Sequence, residues 1–302
     1  MPRNYIAPVS FGLGDLVVSL PAIQGLIAQA GLHGDETWLV ARSDMQVQLA
    51  GRVPGLAGSV DEACFDRSAY DGRFFDLRDH PLQRDWWWGS PAFEEAFGAL
   101  TINDILERIC ADLGVRADFT QRIPLRSRPF PGLESTVLLV HETDGTAKSW
   151  QPERWAELAA LLRADGHDVA HVTKGPGPTP LDDIGVDPLV APTPPAVVDA
   201  LSACRGVIGV DTGLTHIAVQ QGTPTVTICR RASVYIRPWP RSGALRGSDC
   251  TDLCRAAETA SAYNETVSLR GFRPPPRGCP SGSACLAGTT ASDAVALLRG
   301  LL

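Results

Sequence analysis

The chain has 302 residues, 44% of them hydrophobic and 20% charged, an ordinary globular mix long enough for one large core or two of medium size. Its 34 acidic residues outnumber 27 Lys and Arg, and this net charge of -7 argues against a nucleic-acid partner, which would be held by many basic side chains. No apolar run approaches the roughly 20 residues that cross a bilayer. Met1-Pro2-Arg3-Asn4 also leads into a strand without a signal peptide's apolar region, so the expectation is a two-domain cytoplasmic protein with no transmembrane segment.

Short β-rich runs alternate with helical patterns from the start, which favours parallel sheets with crossover helices. In the first half NYIAPVS reads as a strand, Asp15 to Ala30 as a helix and TWLVAR as a strand. A short helix is expected near Met45, then a strand at RFFDL and a helix at INDILERICADLG. At RSRPFPGLES the rhythm stops, and its prolines and glycine mark a linker between domains at 1–128 and 134–302. The rhythm then restarts with STVLLVHE as a strand, PERWAELAALLRADG as a helix and HDVAHVT as a strand. PPAVVDALSAC follows as a helix, GVIGVD as a buried strand, TGLTHIAVQQG as a short helix and TPTVTIC as a strand. The pattern suggests an α/β protein of two Rossmann-like domains, their parallel sheets facing a central cleft.

Two segments carry chemistry. SFGLGDLVVSLPAI, Ser10 to Ile23, sets Asp15 just after a glycine turn at the mouth of an apolar helix, a place for a helix cap or for a catalytic base. In GVIGVDTGLTHIAVQQGTPTVTIC a buried strand ends at Asp211, and Thr212, Gly213 and Leu214 open a helix whose first N–H groups lack internal partners. That helix end suits a diphosphate, with Gly213 allowing close approach, Thr212 and Thr215 adding hydroxyls and His216 a further hydrogen bond. The structural alternative is that Asp211 or Thr212 only caps the helix while His216 packs on the next loop.

GVDTGLTHIAVQQGTPTV and GLGDLVVSLPAI together resemble the paired signatures of the ADP-heptose-dependent heptosyltransferases, glycosyltransferase family 9. HETDGTAKSWQPERWAEL resembles a third signature of that family, and the three fall in the family's order across both halves. The resemblance implies the GT-B fold and inverting transfer of a heptose from a nucleotide sugar, expected to be ADP-heptose, to an acceptor hydroxyl without a catalytic metal. By the family's Gly-Asp motif, here Gly14-Asp15, Asp15 would be the general base, and a helix amino terminus favours its charged form. Lys148 would neutralise charge on the departing diphosphate, and Thr143 would turn a hydroxyl toward the phosphates. Asp144 stands where the family often has another hydroxyl, and because an acid there would repel phosphate it is assigned to the sugar hydroxyls. The family's usual ribose-binding acid is replaced by HVTKGPGPTPLDD, with Lys174 in its place and acids only at Asp182 and Asp183.

DLRDHPLQRDWWWGSPAFEEAFG makes Arg78, His80 and Trp87 candidate acceptor residues, because aromatic faces stack on sugars; the plainer reading of each tryptophan is a core anchor. The acceptor class is open between a secondary metabolite, a glycan precursor and a protein. Cys250, Cys254, Cys279 and Cys285 cluster in the tail, where four thiolates would hold a structural zinc or iron; free thiols are the alternative. A nucleotide-sugar epimerase of the same architecture and a non-catalytic GT-B scaffold are the competing functions.

Overall fold

The computed structural model describes residues 2–69, 72–86, 88–89, 91–143, 148–173, 179–191, 193–231, 233–248, 267–268, 271–272 and 283–302. The chain divides into two units, Met1–Arg126 with Ala262–Pro274, and Ser127–Ser261 with Pro275–Leu302.

In the first unit, β1 (Arg3–Ala7), β2 (Glu36–Ala41), β3 (Gly58–Asp61) and β4 (Gly72–Asp76) form a parallel sheet of order β3-β2-β1-β4. Between them run α1 (Leu13–Gly31) and α2 (Asp44–Ala50), followed after β4 by α3 (Pro81–Arg84), α4 (Pro91–Phe97) and α5 (Ile102–Asp112). The sheet grows to one side through β2 and β3 and to the other through β4, so the strand order switches side between β1 and β4, which pair in parallel with Ala7 opposite Asp76. Helix α1 has the length and apolarity to cross a membrane, with a mean hydropathy of 1.4, but 67% of that window is buried in the protein, as in a core helix. Asn103 and Asp104 sit on the outer side of α5 while Ile102, Ile105, Leu106 and Ile109 are fully buried, the 3.6-residue stripe that fixes its face.

The second unit holds β5 (Thr136–Val140), α6 (Pro152–Ala164), β6 (Asp168–Val172), β7 (Asp187–Leu189), α7 (Pro194–Ala203), β8 (Gly206–Val210), α8 (Gly213–Gln221), β9 (Thr225–Cys229) and β10 (Ser242–Arg246). α9 (Ala291–Leu301) ends the chain, while β11 (Val267–Ser268) and β12 (Gly271–Phe272) form a separate antiparallel pair that belongs to the first unit. Strands β5, β8 and β9 are buried along their whole length, which is why their sequences are unbroken apolar or small-residue runs instead of alternating ones. The parallel order β10-β9-β8-β5-β6-β7 puts the unit's first strand at the centre, the order of a doubly wound nucleotide-binding sheet. Its reversal falls between β5 and β8, and ligands of such sheets lie beyond the carboxyl ends of the strands at that point. Helix α9 packs Ala291, Ala294, Val295 and Leu298 into the core formed by Val137, Leu139, Ile208, Val226 and Ile228. Truncating Leu139, Ile208 or Ile228 to Ala should cost about 2 to 5 kcal/mol.

Candidate active site

The turn from β1 to α1 is held almost entirely by side chains. Its backbone leaves the sheet, so each buried N–H and C=O needs another partner. Ser19 Oγ accepts from the Val9 N–H at 3.2 Å and donates to the Asp15 carbonyl at 2.6 Å. Gln83 donates to the Val9 carbonyl at 2.9 Å, and Ser43 to the Phe11 carbonyl at 2.7 Å. The fully buried Gln46 donates to the carbonyls of Ser10 at 2.9 Å and Gly12 at 3.0 Å, while its own carbonyl accepts from the Arg42 N–H. Asp15, at the third position of α1 with Gly14 just before it, accepts from the Gly12 N–H through Oδ2 at 2.9 Å. A Cβ at residue 12 would stand 2.9 Å from that oxygen, so a glycine is what lets the carboxylate fold back.

Beside this turn, at the carboxyl ends of β2, β3 and β4, lies a partly buried ion network. Arg78 grips Asp76 through Nε and Nη2, each at 2.7 Å, and contacts Glu62 through Nη1, while Glu62 also takes Nε of Arg42 at 2.8 Å. Burial by itself would lower the Arg78 pKa, but Asp76 and Glu62 more than offset it and raise it. Arg78 is therefore a permanent charge bound into the scaffold. His80 caps α3, accepting from the Leu82 N–H through Nδ1, so its Nε2 carries the hydrogen shared with Asp112 at 3.1 Å. Trp88 donates its indole N–H to the Leu82 carbonyl, and Trp86 packs edge-on to Phe93 and Phe97, so both are anchors. Trp87 lies outside the described residues.

In the second unit the centre is Asp211, the first residue past β8 and only 3% exposed. Its Oδ1 faces His216 Nε2 at 2.9 Å, and since an ionised carboxylate only accepts, Nε2 carries the hydrogen. Its Oδ2 accepts from Ser233 Oγ at 2.7 Å and lies 3.6 Å from Lys148 Nζ. Burial alone would raise the Asp211 pKa, but Lys148, His216 and Ser233 together hold it well below the usual carboxylate range. Burial first, and then that same charge, pushes the thiol of Cys229 up to about 12. Lys148 also stands 5.6 Å from the centre of the Tyr235 ring, which in turn lies 6.0 Å from the His216 ring.

Helix α8 opens at this centre. Thr212 is its N-cap in extended geometry but makes no side-chain cap, so no side chain of its own covers the first turn. Gly213 and Leu214 are half-buried in that turn. Thr215 is fully buried and donates its hydroxyl to the Val210 carbonyl at 2.7 Å, locking the helix to the strand. Gly209 makes room for it, because a Cβ there would lie 2.4 Å from Thr215 Oγ1. Thr143 leaves the carboxyl end of β5, the neighbour of β8, on the same edge of the sheet as Asp211. A small pocket behind this edge is lined by His216, Tyr235, Arg237, Thr227 and Ser242 among others.

The structure thus gathers Lys148, Asp211 and His216, and sets Asp15 in the first unit. Asp144 and Lys174 lie outside the described residues, as do Cys250, Cys254 and Cys279. Cys285 is buried in the second unit's core, its carbonyl accepting from the Ser248 N–H at 2.9 Å. Among the described residues no group of three or more His, Cys, Asp and Glu is placed to hold a metal. Sequence reasoning missed Gln46 and Ser233; Ser43 and Gln46 do carry the Ser-x-x-Gln spacing of a helix start, whereas nothing local marks Ser233.

Residues 194–252, from α7 past β10, match the model of glycosyltransferase family 9 (heptosyltransferase). No curated protein matches in sequence. Among solved structures, the E. coli heptosyltransferase WaaC with ADP is similar at 14% identity and a TM-score of 0.63, over 99% of this chain and 100% of that one. The E. coli ADP-heptose lipopolysaccharide heptosyltransferase II is similar at 16% identity and a TM-score of 0.66, over 100% and 98%. The iron-containing dodecameric glycosyltransferase TibC of enterotoxigenic E. coli is similar at 17% identity and 0.63, over 99% of this chain and 76% of that one. The chain is thus similar to glycosyltransferase family 9 in sequence across residues 194–252 and to GT-B heptosyltransferases in fold across nearly its whole length, which supports a glycosyltransferase.

Proposed function

We propose that the protein is an inverting glycosyltransferase that moves a heptose from ADP-heptose to an acceptor hydroxyl. The observation that carries this reading is the Asp211 centre, where a buried charged carboxylate holds His216 and attracts Lys148 at the opening of α8, on the switch point of a doubly wound sheet. Lys148 brings positive charge and the first turn of α8 brings N–H donors, both suited to a nucleoside diphosphate. WaaC was solved with ADP and with a fluorinated ADP-heptose analogue, and TibC with ADP-heptose, which supports the same donor here.

In the reaction the acceptor oxygen attacks the anomeric carbon as the bond from that carbon to the diphosphate oxygen breaks. The hydroxyl proton passes to Asp15, and ADP departs carrying the bond's electron pair, its charge met by Lys148. A single displacement of this kind inverts the anomeric configuration. Incubation with ADP-heptose and candidate acceptors in a chelator should give acceptor-dependent release of ADP and a product of inverted configuration. Retained configuration, or acceptor-independent turnover of the sugar as in an epimerase, would reject the reading.

The tail cysteines are proposed to hold a structural zinc or iron, apart from the chemistry. Support comes from the tether between Ser248, two residues before Cys250 in sequence, and the Cys285 carbonyl. Gly247 permits it, since a Cβ there would lie 2.5 Å from that carbonyl oxygen. Metal content near one per chain, lost in Cys279→Ser with a lower melting temperature, is the expected result; metal-free protein prepared without chelators would reject it.

A further inference from the structure

Among the described residues, three groups approach the two oxygens of Asp211. His216 takes Oδ1, while Ser233 and Lys148 both approach Oδ2, the hydroxyl at 2.7 Å and the ammonium at 3.6 Å. The shorter distance is a full hydrogen bond and the longer is beyond one, so the ammonium is attracted to the carboxylate without being bound to it. Asp211 and Ser233 are 3% and 8% exposed, so bulk water does not compete for the oxygen. The Lys148 side chain is 31% exposed, and its ammonium lies over the Tyr235 ring instead. Ser233 and Tyr235 are alternate residues of the segment after β9, so one short run delivers both the hydroxyl that occupies Oδ2 and the ring that receives the lysine.

We propose that Ser233 is a positioning residue of the donor site: by occupying Oδ2 of Asp211 it keeps the Lys148 ammonium from closing into a contact ion pair, and so leaves that ammonium free to meet the diphosphate of the donor. The ligand named here rests on the function proposed above; the geometry does not. Without the hydroxyl, the buried Oδ2 is left short of a partner, and among the described residues the donor standing ready to replace it is Lys148, 3.6 Å away. The ammonium then spends its hydrogen bonds inward.

Two readouts on S233A test this. ADP affinity, measured by calorimetry without added divalent metal, should fall about tenfold, the worth of one hydrogen bond to a charged group. In the ligand-free protein, acylation of Lys148 by an amine-selective reagent, followed by peptide mass spectrometry, should slow severalfold because the amine is held against the carboxylate. S233T, which keeps the hydroxyl, should restore both values, and adding S233A to K148A should weaken ADP no further than K148A alone. A purely structural serine would change the melting temperature of S233A while leaving the Lys148 acylation rate at the wild-type value, and that result overturns the proposal. If wild-type protein shows no affinity for ADP, the donor reading fails, and the acylation rate alone decides whether Ser233 restrains Lys148: slowed, it does; unchanged, it does not. Should S233A fail to fold, S233C takes its place, since a thiol is a poor donor.

Discussion

The Gly12 N–H donates to Oδ2 of Asp15 at 2.9 Å, so the carboxylate assigned to take the acceptor's proton also closes the first turn of its own helix. Cap and base are thus compatible in one residue, and a substitution can separate them. Asp15→Asn keeps an oxygen that accepts from Gly12 but loses basicity. We expect its melting temperature and ADP affinity to stay near wild type while transfer drops about 10²- to 10⁴-fold. Near-normal turnover in Asp15→Asn would show that the residue is a cap only.

Gln46 anchors the same turn from α2 by two hydrogen bonds, to the Ser10 and Gly12 carbonyls, and accepts a third from the Arg42 N–H just past β2. Gln46→Ala would leave buried backbone groups without partners and should destabilise the protein by about 2 kcal/mol or more in urea titrations. Transfer should fall more than stability alone explains at a temperature where the variant is fully folded, because the turn that aims Asp15 is loosened. A stable variant with unchanged turnover would mean that the turn is held sufficiently by Ser19, Ser43 and Gln83.

Lys148→Ala removes the charge assigned to the leaving group. The expected loss is about 10²- to 10³-fold in kcat, with weaker ADP binding alongside. It should be seen in chelator as well as in buffer with magnesium. Rescue of the variant by magnesium alone would point to a cation as the source of that charge.

His141, just past β5, predicts a pH effect on stability. Burial first, and then the neighbouring His171, lower its pKa from the ordinary 6.5, against weaker opposite pulls from Glu142 and Asp182. Its Nδ1 is buried and has no hydrogen-bond partner among the described residues. The folded protein therefore resists protonation at a pH where the unfolded chain accepts it, so stability falls as pH drops below about 6.5. Urea unfolding at pH 7.5 and 5.5 should show that fall in wild type and a smaller one in His141→Phe. Equal falls in both would assign the effect elsewhere.

How much of this was legible in the sequence follows burial. Central strands such as TVLLV and TVTIC declare themselves because both faces are covered, and the helix start at Gly213 is set by the turn that precedes it. The half-exposed edge strands GSVD and SGALR have no apolar run to announce them, and they were not expected. Helix α9 was missed although Thr290, capping Asp293, and the apolar run behind it carry a start signal. Asp15 in the first unit and Lys148, Asp211 and His216 in the second stand in short motifs, while Ser233 meets Asp211 only through the fold, 22 residues further on. Arg78 and His80 were read as acceptor groups by residue type; the structure shows each of them already engaged by Asp76, Glu62, Asp112 and the Leu82 backbone.

The most direct test of the central claim is a calorimetric titration of the purified protein with ADP, UDP and GDP, and then with ADP-heptose, in the absence of added divalent metal. The account predicts binding selective for ADP and its heptose conjugate, weakened in Lys148→Ala and unaffected in Asp15→Asn. Preference for another nucleotide, or no binding of any, would contradict it.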